Sequence, residues 1–284
     1  MLFLQLLIDG ILMGCIYALN AAGLSLVFGV VGIVNFAYSD FMMVSMYTCF
    51  WMFVLFGLDP LFSIPIAVML SALLGFLTYK FVIKKVVDAP MLSQTLATYA
   101  LGMVIRYTCV LFFTNNFRYI SDALLDHSLV FGDLIIEAGK LAAALISVCA
   151  FIILILILNK TKIGLAMRAT SMDRTAASLM GMNSQKVFTI TFVIGASCVA
   201  IAGSVLMSHY YVYPLVGQNF GNISFAVIAL GGFGSVPGAL IAGVIIGIVE
   251  SMAGFLFDSA YKYAIVFLVY ILVVIFKPKG LKGW

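Results

Sequence analysis

Long apolar stretches, each separated from the next by a short polar segment, run through almost the whole chain. Of its 284 residues, 64% are hydrophobic and 9% are charged, whereas about a quarter of the residues in a soluble domain carry a charge. A helix of about 20 apolar residues is long enough to cross the hydrocarbon core of a bilayer. The pattern therefore predicts an all-α, polytopic membrane protein whose residues 1–284 form one transmembrane domain.

Eight stretches of the sequence are predicted as spanning helices. They cover residues 3–28, 41–56, 62–83, 92–114, 141–158, 187–209, 240–257 and 260–276. The net charge of +4 comes from bases concentrated in loops, so no nucleic-acid partner is predicted. The two histidines and five cysteines are scattered without the spacing of metal ligands, so neither a metal site nor a cofactor is predicted.

The loops between the predicted spans differ in charge and so indicate the orientation of the chain. Residues 160–186 carry Lys160, Lys162, Arg168, Arg174 and Lys186 against the single acid Asp173. Because loops rich in Lys and Arg stay in the cytoplasm, this segment is predicted to be cytoplasmic. Residues 115–140 form a net acidic loop, predicted to be extracytoplasmic. Its acids are Asp122, Asp126, Asp133 and Glu137. Orientation counted from these loops puts the N-terminus outside and the C-terminus inside, which leaves 260–276 as the single crossing after the segment 222–257.

The basic segment is predicted to contain one helix of about four turns, starting after Gly164 and ending at Gly181. Its apolar residues recur at spacings of three and four, which is typical of a helix with one apolar face. They are Leu165, Ala169, Met172, Ala176, Leu179 and Met180. Two interpretations are open: the helix docks on a partner protein, or it lies on the lipid surface.

A glycine-rich break interrupts the apolar segment 222–257. Its glycines and Pro237 cannot continue a helix, and broken backbone at membrane depth is tolerated only where it is buried in protein or lines an aqueous cavity. Because this segment must return to the side from which it enters, it is predicted to be a re-entrant hairpin, with a half-helix over 224–230.

Residues 29–40 raise the same question, since they place polar groups between two apolar runs without any Lys or Arg. The segment fits either a plain loop or a second broken element. Broken elements at corresponding positions of two halves would indicate an inverted repeat, an arrangement common in transporters.

Two charged residues, Arg106 and Glu250, lie deep within predicted spans. Charge inside a membrane is costly, so each should face protein or water and have a partner. Either both are structural and paired with each other, or one of them lines or gates a translocation path. Asp9 and Asp40 lie nearer the span ends and are expected at the membrane interface.

Four stretches of the chain resemble the permeases of branched-chain amino acid ABC importers. In chain order they are GLSLVFGVVGIVNFA from Gly23, TKIGLAMRATS continuing to AASLMGMN from Thr161, SFAVIALGGFGSVPGALIAG from Ser224, and FKPKGLKG from Phe276. Tyr38 and Ser39 stand where the family usually has His and Gly. The chain looks like the shorter of the two permease types in this family.

The resemblance implies a permease subunit in the cell's inner membrane, forming the path for branched-chain amino acids. It also implies a second permease subunit, either a copy or a sister, two ABC ATPase subunits and an extracytoplasmic binding protein. The sequence has no G-x-x-x-x-G-K-[ST] motif, so the chain is not expected to be an enzyme and ATP hydrolysis is assigned to the partners. Related permeases for urea or short amides share most of these motifs and are an alternative, as is a transporter or channel that works without ATPases.

The resemblance further implies an ATPase-coupling site in the basic segment, with Thr175 where the general importer pattern has Glu. The coupling residues are expected to be Gly164, Arg168, Ala169, Thr175, Ala176, Ala177 and Gly181. The broken segments and the intramembrane charges supply the candidates for the translocation path. They are Asn35, Tyr38, Arg106, Gly231, Gly232, Gly234, Ser235 and Glu250.

Overall fold

The computed structural model describes residues 2–121, 124–125, 127–131, 134–257, 261–277 and 280–282. Asp122, Asp126 and Asp133 of the predicted acidic loop lie outside these ranges. The helices are α1 (Leu2–Val31), α2 (Tyr38–Phe56), α3 (Pro60–Val86), α4 (Met91–Phe113), α5 (Ala138–Lys160), α6 (Lys162–Met172), α7 (Arg174–Leu179), α8 (Ser184–Leu206), α9 (Val216–Gly231), α10 (Val236–Leu256) and α11 (Lys262–Phe276). A short antiparallel hairpin, β1 (Ser128–Phe131) and β2 (Leu134–Glu137), precedes α5.

The predicted polytopic helical fold is confirmed. Within the described residues, seven helices are long and apolar enough to cross a bilayer: α1 to α5, α8 and α10. The shorter apolar helix α11 matches the eighth predicted span. Helix α9 has 16 residues and lies inside the bundle. It was not counted as a span from the sequence, because most of it falls in the predicted hairpin.

The centre of the bundle is an antiparallel pair of helices, α1 and α10, packed backbone to backbone. A Cβ added to Gly14 would stand 2.7 Å from the Cα of Val244, and one added to Gly10 would stand 2.7 Å from the Cα of Ile248. Only glycine permits this approach, because any side chain would collide with the opposing backbone. The G-x-x-x-G spacing of α1 is therefore used for packing inside this chain.

The bundle has two chemically different ends. The basic segment, the lysines of α3 and the C-terminal residues share one end, where Arg174 forms an ion pair with Asp88 at 2.7 Å. We call this the basic end. The opposite end carries Asp9, Lys140 and the β-hairpin, and we call it the far end.

Residues 32–37 form a broken element rather than a plain loop. They are not helical, and Asn35 is completely buried. The hydroxyl of Thr98 on α4 donates to the carbonyl of Val34 at 3.2 Å and accepts from the amide of Phe36 at 3.4 Å. Non-helical backbone at this depth is therefore hydrogen-bonded to protein, which is the condition under which a bilayer tolerates it.

Helices α2 and α9 both begin halfway along the bundle. Tyr38, the first residue of α2, lies against Gly23 of α1 and Gly195 of α8, both well inside their helices. On α9, Phe220 packs on Tyr17 in the middle of α1, with ring centroids 6.0 Å apart. Helix α2 runs from there toward the far end and α9 toward the basic end. Together with the opposed directions of α1 and α8, this is the arrangement of an inverted repeat.

The glycine turn lies at the basic end of the bundle, not in its middle. It occupies residues 232–235 between α9 and α10, and Gly234 packs against Gly29 near the last turn of α1. The amides of Leu281 and Lys282 donate to the carbonyls of Leu230 and Gly231, at 2.8 and 3.0 Å. The half-helix predicted over 224–230 therefore begins earlier, at Val216, and reaches the basic end. The C-terminal residues satisfy the carbonyls that its last turn leaves unpaired.

Candidate functional site

Three amide side chains are exposed on the surface of α9 at half the depth of the bundle. Gln218, Asn219 and Asn222 follow the spacing of one helix face. Their depth is fixed by their neighbours: Phe220 packs on Tyr17, and Ser224 accepts a 2.8 Å hydrogen bond from Asn20. Because polar side chains at this depth are costly against lipid, the face must be covered by protein or water.

Aromatic residues border this set of amides. Phe225 contacts Phe36 with ring centroids 4.8 Å apart, and Phe36 meets Tyr99 of α4 at 6.4 Å. On the other side, Asn219 donates to the hydroxyl of Tyr213 at 2.7 Å. We call the three amides and their aromatic border the amide face. It offers hydrogen-bond donors and acceptors next to aromatic surface, and so suits a small molecule with polar and apolar parts.

A buried ion pair lies directly behind the amide face. The Nε and Nη2 atoms of Arg106 on α4 donate to the two carboxylate oxygens of Asp40 on α2, at 3.1 and 3.2 Å. The Nη1 atom of Arg106 donates to the side-chain oxygen of Gln218 at 3.4 Å. Asp40 is completely buried, so the expectation that it lies at the membrane interface is wrong. Arg106 thereby joins α4 to the first turns of α2 and α9.

Small residues allow these elements to meet closely. A Cβ on Gly102 would stand 2.5 Å from a carboxylate oxygen of Asp40, and one on Gly217 would stand 2.5 Å from the carbonyl oxygen of Ser39. The absence of a side chain at Gly102 and Gly217 therefore leaves the space in which the bidentate pair lies. Such two-point contacts fix orientation as well as distance.

Glu250, the other predicted intramembrane charge, belongs to a different site. It accepts a 2.6 Å hydrogen bond from the hydroxyl of Tyr17 and forms a 3.0 Å ion pair with Lys262 on α11. The interpretation that Arg106 and Glu250 pair with each other is therefore wrong, because each has its own partner. Glu250 lies in the half of the bundle toward the far end.

The other residues predicted for the path are distributed over two places. Asn35 and Tyr38 are buried inside the chain, within or next to the broken element before α2. Gly231 is the last residue of α9, and Gly232, Gly234 and Ser235 lie in the turn that follows at the basic end. Ser235 caps α10 by accepting from the amide of Gly238 at 3.1 Å. Among the predicted path residues, Arg106 hydrogen-bonds directly to one of the three amides, Gln218.

The basic segment forms two helices rather than the single predicted one. Helix α6 ends at Met172, and Asp173 starts α7 by accepting from the amides of Thr175 and Ala176, at 2.8 and 2.9 Å. An aspartate in this N-cap role stabilises a new helix start more than it stabilises the interior of a longer helix. Gly181 then ends α7 in a left-handed conformation, with φ of 83°.

The predicted coupling residues divide into exposed and buried groups. Arg168, Thr175, Ala176 and Gly181 are exposed, Ala169 is half-buried, and Gly164 and Ala177 are buried against the rest of the chain. Two large apolar side chains next to the exposed group stand almost free: Leu179 is 84% exposed and Met180 is 81% exposed. We call the exposed residues Ala176, Leu179, Met180 and Gly181 the α7 patch.

A cavity of about 860 Å³ lies behind α6 and connects it to the glycine turn. Arg168 and Met167 of α6 line one wall, and Gly234 and Ser235 line another. The end of α1 also lines it through Phe28, which contacts Phe233 of the turn with ring centroids 5.1 Å apart. The cavity therefore separates α6 from the turn that joins α9 to α10.

Sequence reasoning missed the three amides and the role of Asp40. The amides recur as Gln218, Asn219 and Asn222 at helical spacing, but the predicted hairpin began only at residue 222 and so excluded the first two. The sequence did not indicate that Asp40 is paired, because its partner Arg106 on α4 is 66 positions away.

Comparisons with known proteins match nearly the whole chain to one family. The family described as "Branched-chain amino acid transport system / permease component" matches residues 6–274. The LivH permease protein of a high-affinity branched-chain amino acid transport system in Escherichia coli (strain K12) is 31% identical over 99% of this chain and 96% of its own length. The BraD permease protein of Pseudomonas aeruginosa is 30% identical over the same shares. A probable LivH permease protein of Methanocaldococcus jannaschii is 28% identical over 98% of this chain and 92% of its own. No solved structure matches the chain.

Proposed function

The chain belongs to the family of permease components of branched-chain amino acid transport systems, and from this we propose that it forms half of a path for branched-chain amino acids across the cell membrane. The other half is a second permease chain, a copy or a relative, that covers the amide face. Two ABC ATPases at the basic end drive the cycle, and a binding protein delivers the amino acid at the far end.

The amide face is the observation that carries this proposal. Exposed amides at mid-depth of an apolar bundle are incompatible with contact to lipid tails, whereas a shared aqueous path between two chains would hydrate them. An amino acid in such a path can exchange hydrogen bonds with Gln218, Asn219 and Asn222. Its apolar side chain can contact Phe225 and Phe36. The face holds no net charge of its own, which suits passage rather than tight binding.

Replacing Asn222 with Leu should lower uptake about tenfold or more while the amount of inserted protein stays unchanged. A hydrogen bond to a charged group contributes about 1.5–3 kcal/mol, and an apolar side chain on this surface does not oppose membrane insertion. Uptake of labelled leucine should be measured with the ATPases and the binding protein present. Asn116→Leu makes the same change on an exposed residue beyond α4 and should transport normally. Full uptake by Asn222→Leu would remove the amide face from the path.

The proposal places the basic end in the cytoplasm, because loops rich in Lys and Arg stay on the cytoplasmic side of a membrane. In a cysteine-free background, a cysteine at Asn115 should react with an impermeant maleimide added to intact cells. A cysteine at Met180 should react only after the cells are opened. Both positions are exposed, so access to the reagent depends on the side of the membrane. Labelling of Met180→Cys in intact cells would reverse the orientation.

A further inference from the structure

A second polar cavity lies toward the far end, separate from the amide face. Its volume is about 420 Å³, within the range of about 300–1,000 Å³ typical of small-molecule sites. The side chains that matter come from α1, α5, α10, α11 and the segment after α8. They are Asp9, Tyr17, Lys140, His209, Glu250 and Lys262. Phe220 of α9 packs on Tyr17 and on Tyr210, so a layer of aromatic rings separates this cavity from the amides.

His209 is the unexplained group in this cavity. Neither of its ring nitrogens is exposed, and neither has a hydrogen-bond partner among the described residues. Burial, with a contribution from Lys140, lowers the pKa of His209 to about 4, so the ring is neutral and presents one donor and one acceptor. A buried polar group without a partner is costly, so a molecule in the cavity would be stabilised if a turn of the ring brought one of these nitrogens to it.

The charges around His209 specify what kind of molecule fits. Lys262 pairs with Glu250 at 3.0 Å, whereas Lys140 approaches Asp9 only to 3.9 Å and is also held by Glu137 at 3.1 Å. Two ammonium groups and two carboxylates therefore line the cavity, and the loose pair leaves capacity for further contacts. A positive cavity would favour an anion and a negative one a cation, but a cavity with both charges is complementary to a zwitterion.

We propose that the far-end cavity binds a free amino acid as its zwitterion, with His209 supplying the neutral hydrogen-bonding group between the two sets of charges. The carboxylate would accept from Lys140 or Lys262, and the ammonium would donate to Asp9 or Glu250. Met13 and Gly247 also line the cavity and give it an apolar part that a hydrophobic side chain could contact. The choice of amino acid rests on the proposed permease function, while the site itself is distinct from the path.

Equilibrium dialysis of the purified full-length chain with labelled leucine tests the site without ATPases or a binding protein. The unmodified chain should bind leucine saturably, and His209→Phe should weaken binding about tenfold or more, because phenylalanine keeps an aromatic ring at this position but offers no hydrogen bond. Lys262→Met should have a similar effect. Lys186→Met removes an ammonium group at the basic end and should bind normally. Absence of saturable binding, or equal binding by His209→Phe, would overturn the proposal.

Competition identifies the chemistry of the ligand. 4-Methylpentanoate carries only the carboxylate of leucine and 3-methylbutylamine only its ammonium, so neither should displace labelled leucine at concentrations at which unlabelled leucine does. Equal displacement by either compound would show a single-charge site and overturn the zwitterion assignment. Binding that survives Asn222→Leu and is lost in His209→Phe belongs to this cavity. The two proposals can therefore fail independently, since uptake tests the path and dialysis tests the cavity.

Discussion

Replacing Arg106 with Leu should abolish uptake and remove most of the folded protein, a larger loss than replacing both members of its ion pair. The single change leaves the carboxyl group of Asp40 completely buried without its partner. Breaking a buried pair by removing one partner costs about 3–5 kcal/mol, a large part of the stability of a typical domain. The double change Asp40→Asn with Arg106→Met removes both charges and keeps similar volumes, so folded protein should recover.

The double variant separates folding from transport. Arg106 holds the first turn of α2 through Asp40 and the first turn of α9 through Gln218. Without the pair, α2 and α9 lose their common attachment to α4. Uptake by the double variant should therefore stay low even though the protein folds. The measurements are the yield of monodisperse protein in detergent, its melting temperature and leucine uptake in the complete transporter.

An exposed ion pair in the same chain supplies the control. Arg174 and Asp88 form a 2.7 Å pair whose side chains are 42% and 78% exposed. Exposed pairs contribute about 0–1 kcal/mol, so Arg174→Leu should change the melting temperature little. Equal effects of Arg174→Leu and Arg106→Leu would mean that burial does not set the strength of the Arg106 pair.

The sequence predicted those features of the fold that depend on neighbouring residues. Hydrophobicity and loop charge are local, so the helical membrane class and the spans followed from them. The break at Asp173 is also local, since its carboxylate caps the next helix, but the prediction weighed only the flanking glycines. The pairing of Arg106 could not be predicted, because intramembrane charges restrict the kind of partner but not its place in the sequence.

Depth in the bundle was the second property that the sequence could not supply. A run such as 231–238 predicts a turn, but whether that turn lies mid-membrane or at one end depends on where the preceding helix starts. Helix α9 starts at Val216 because Gly217 and Gly221 allow it to lie directly against Ser39 of α2. That close approach joins residues about 180 positions apart, and it moves the glycine turn to the basic end.

The α7 patch should be the point at which an ATPase acts on this chain. Leu179 and Met180 are almost fully exposed at the basic end, and Ala176 and Gly181 leave space beside them for a partner surface. Ala177 belongs to the packing of α7 itself, so a bulky residue there would test folding rather than docking. The cavity behind α6 leaves space for the basic segment to move toward the glycine turn between α9 and α10.

Leu179→Asp and Leu179→Trp should each lower substrate-stimulated ATP hydrolysis and leucine uptake together, about tenfold or more, with insertion unchanged. Removing a central apolar contact of a protein interface commonly costs about 2 kcal/mol or more, and a fitted groove rejects a larger ring as well as a charge. Ile163→Trp enlarges an exposed apolar residue at the start of α6 and should retain both activities. A helix that only rests on lipid would respond differently, since a Trp strengthens interfacial binding while an Asp weakens it. Normal coupled hydrolysis by Leu179→Trp in the reconstituted complex, with loss confined to Leu179→Asp, would assign the patch to the lipid surface instead of the ATPase.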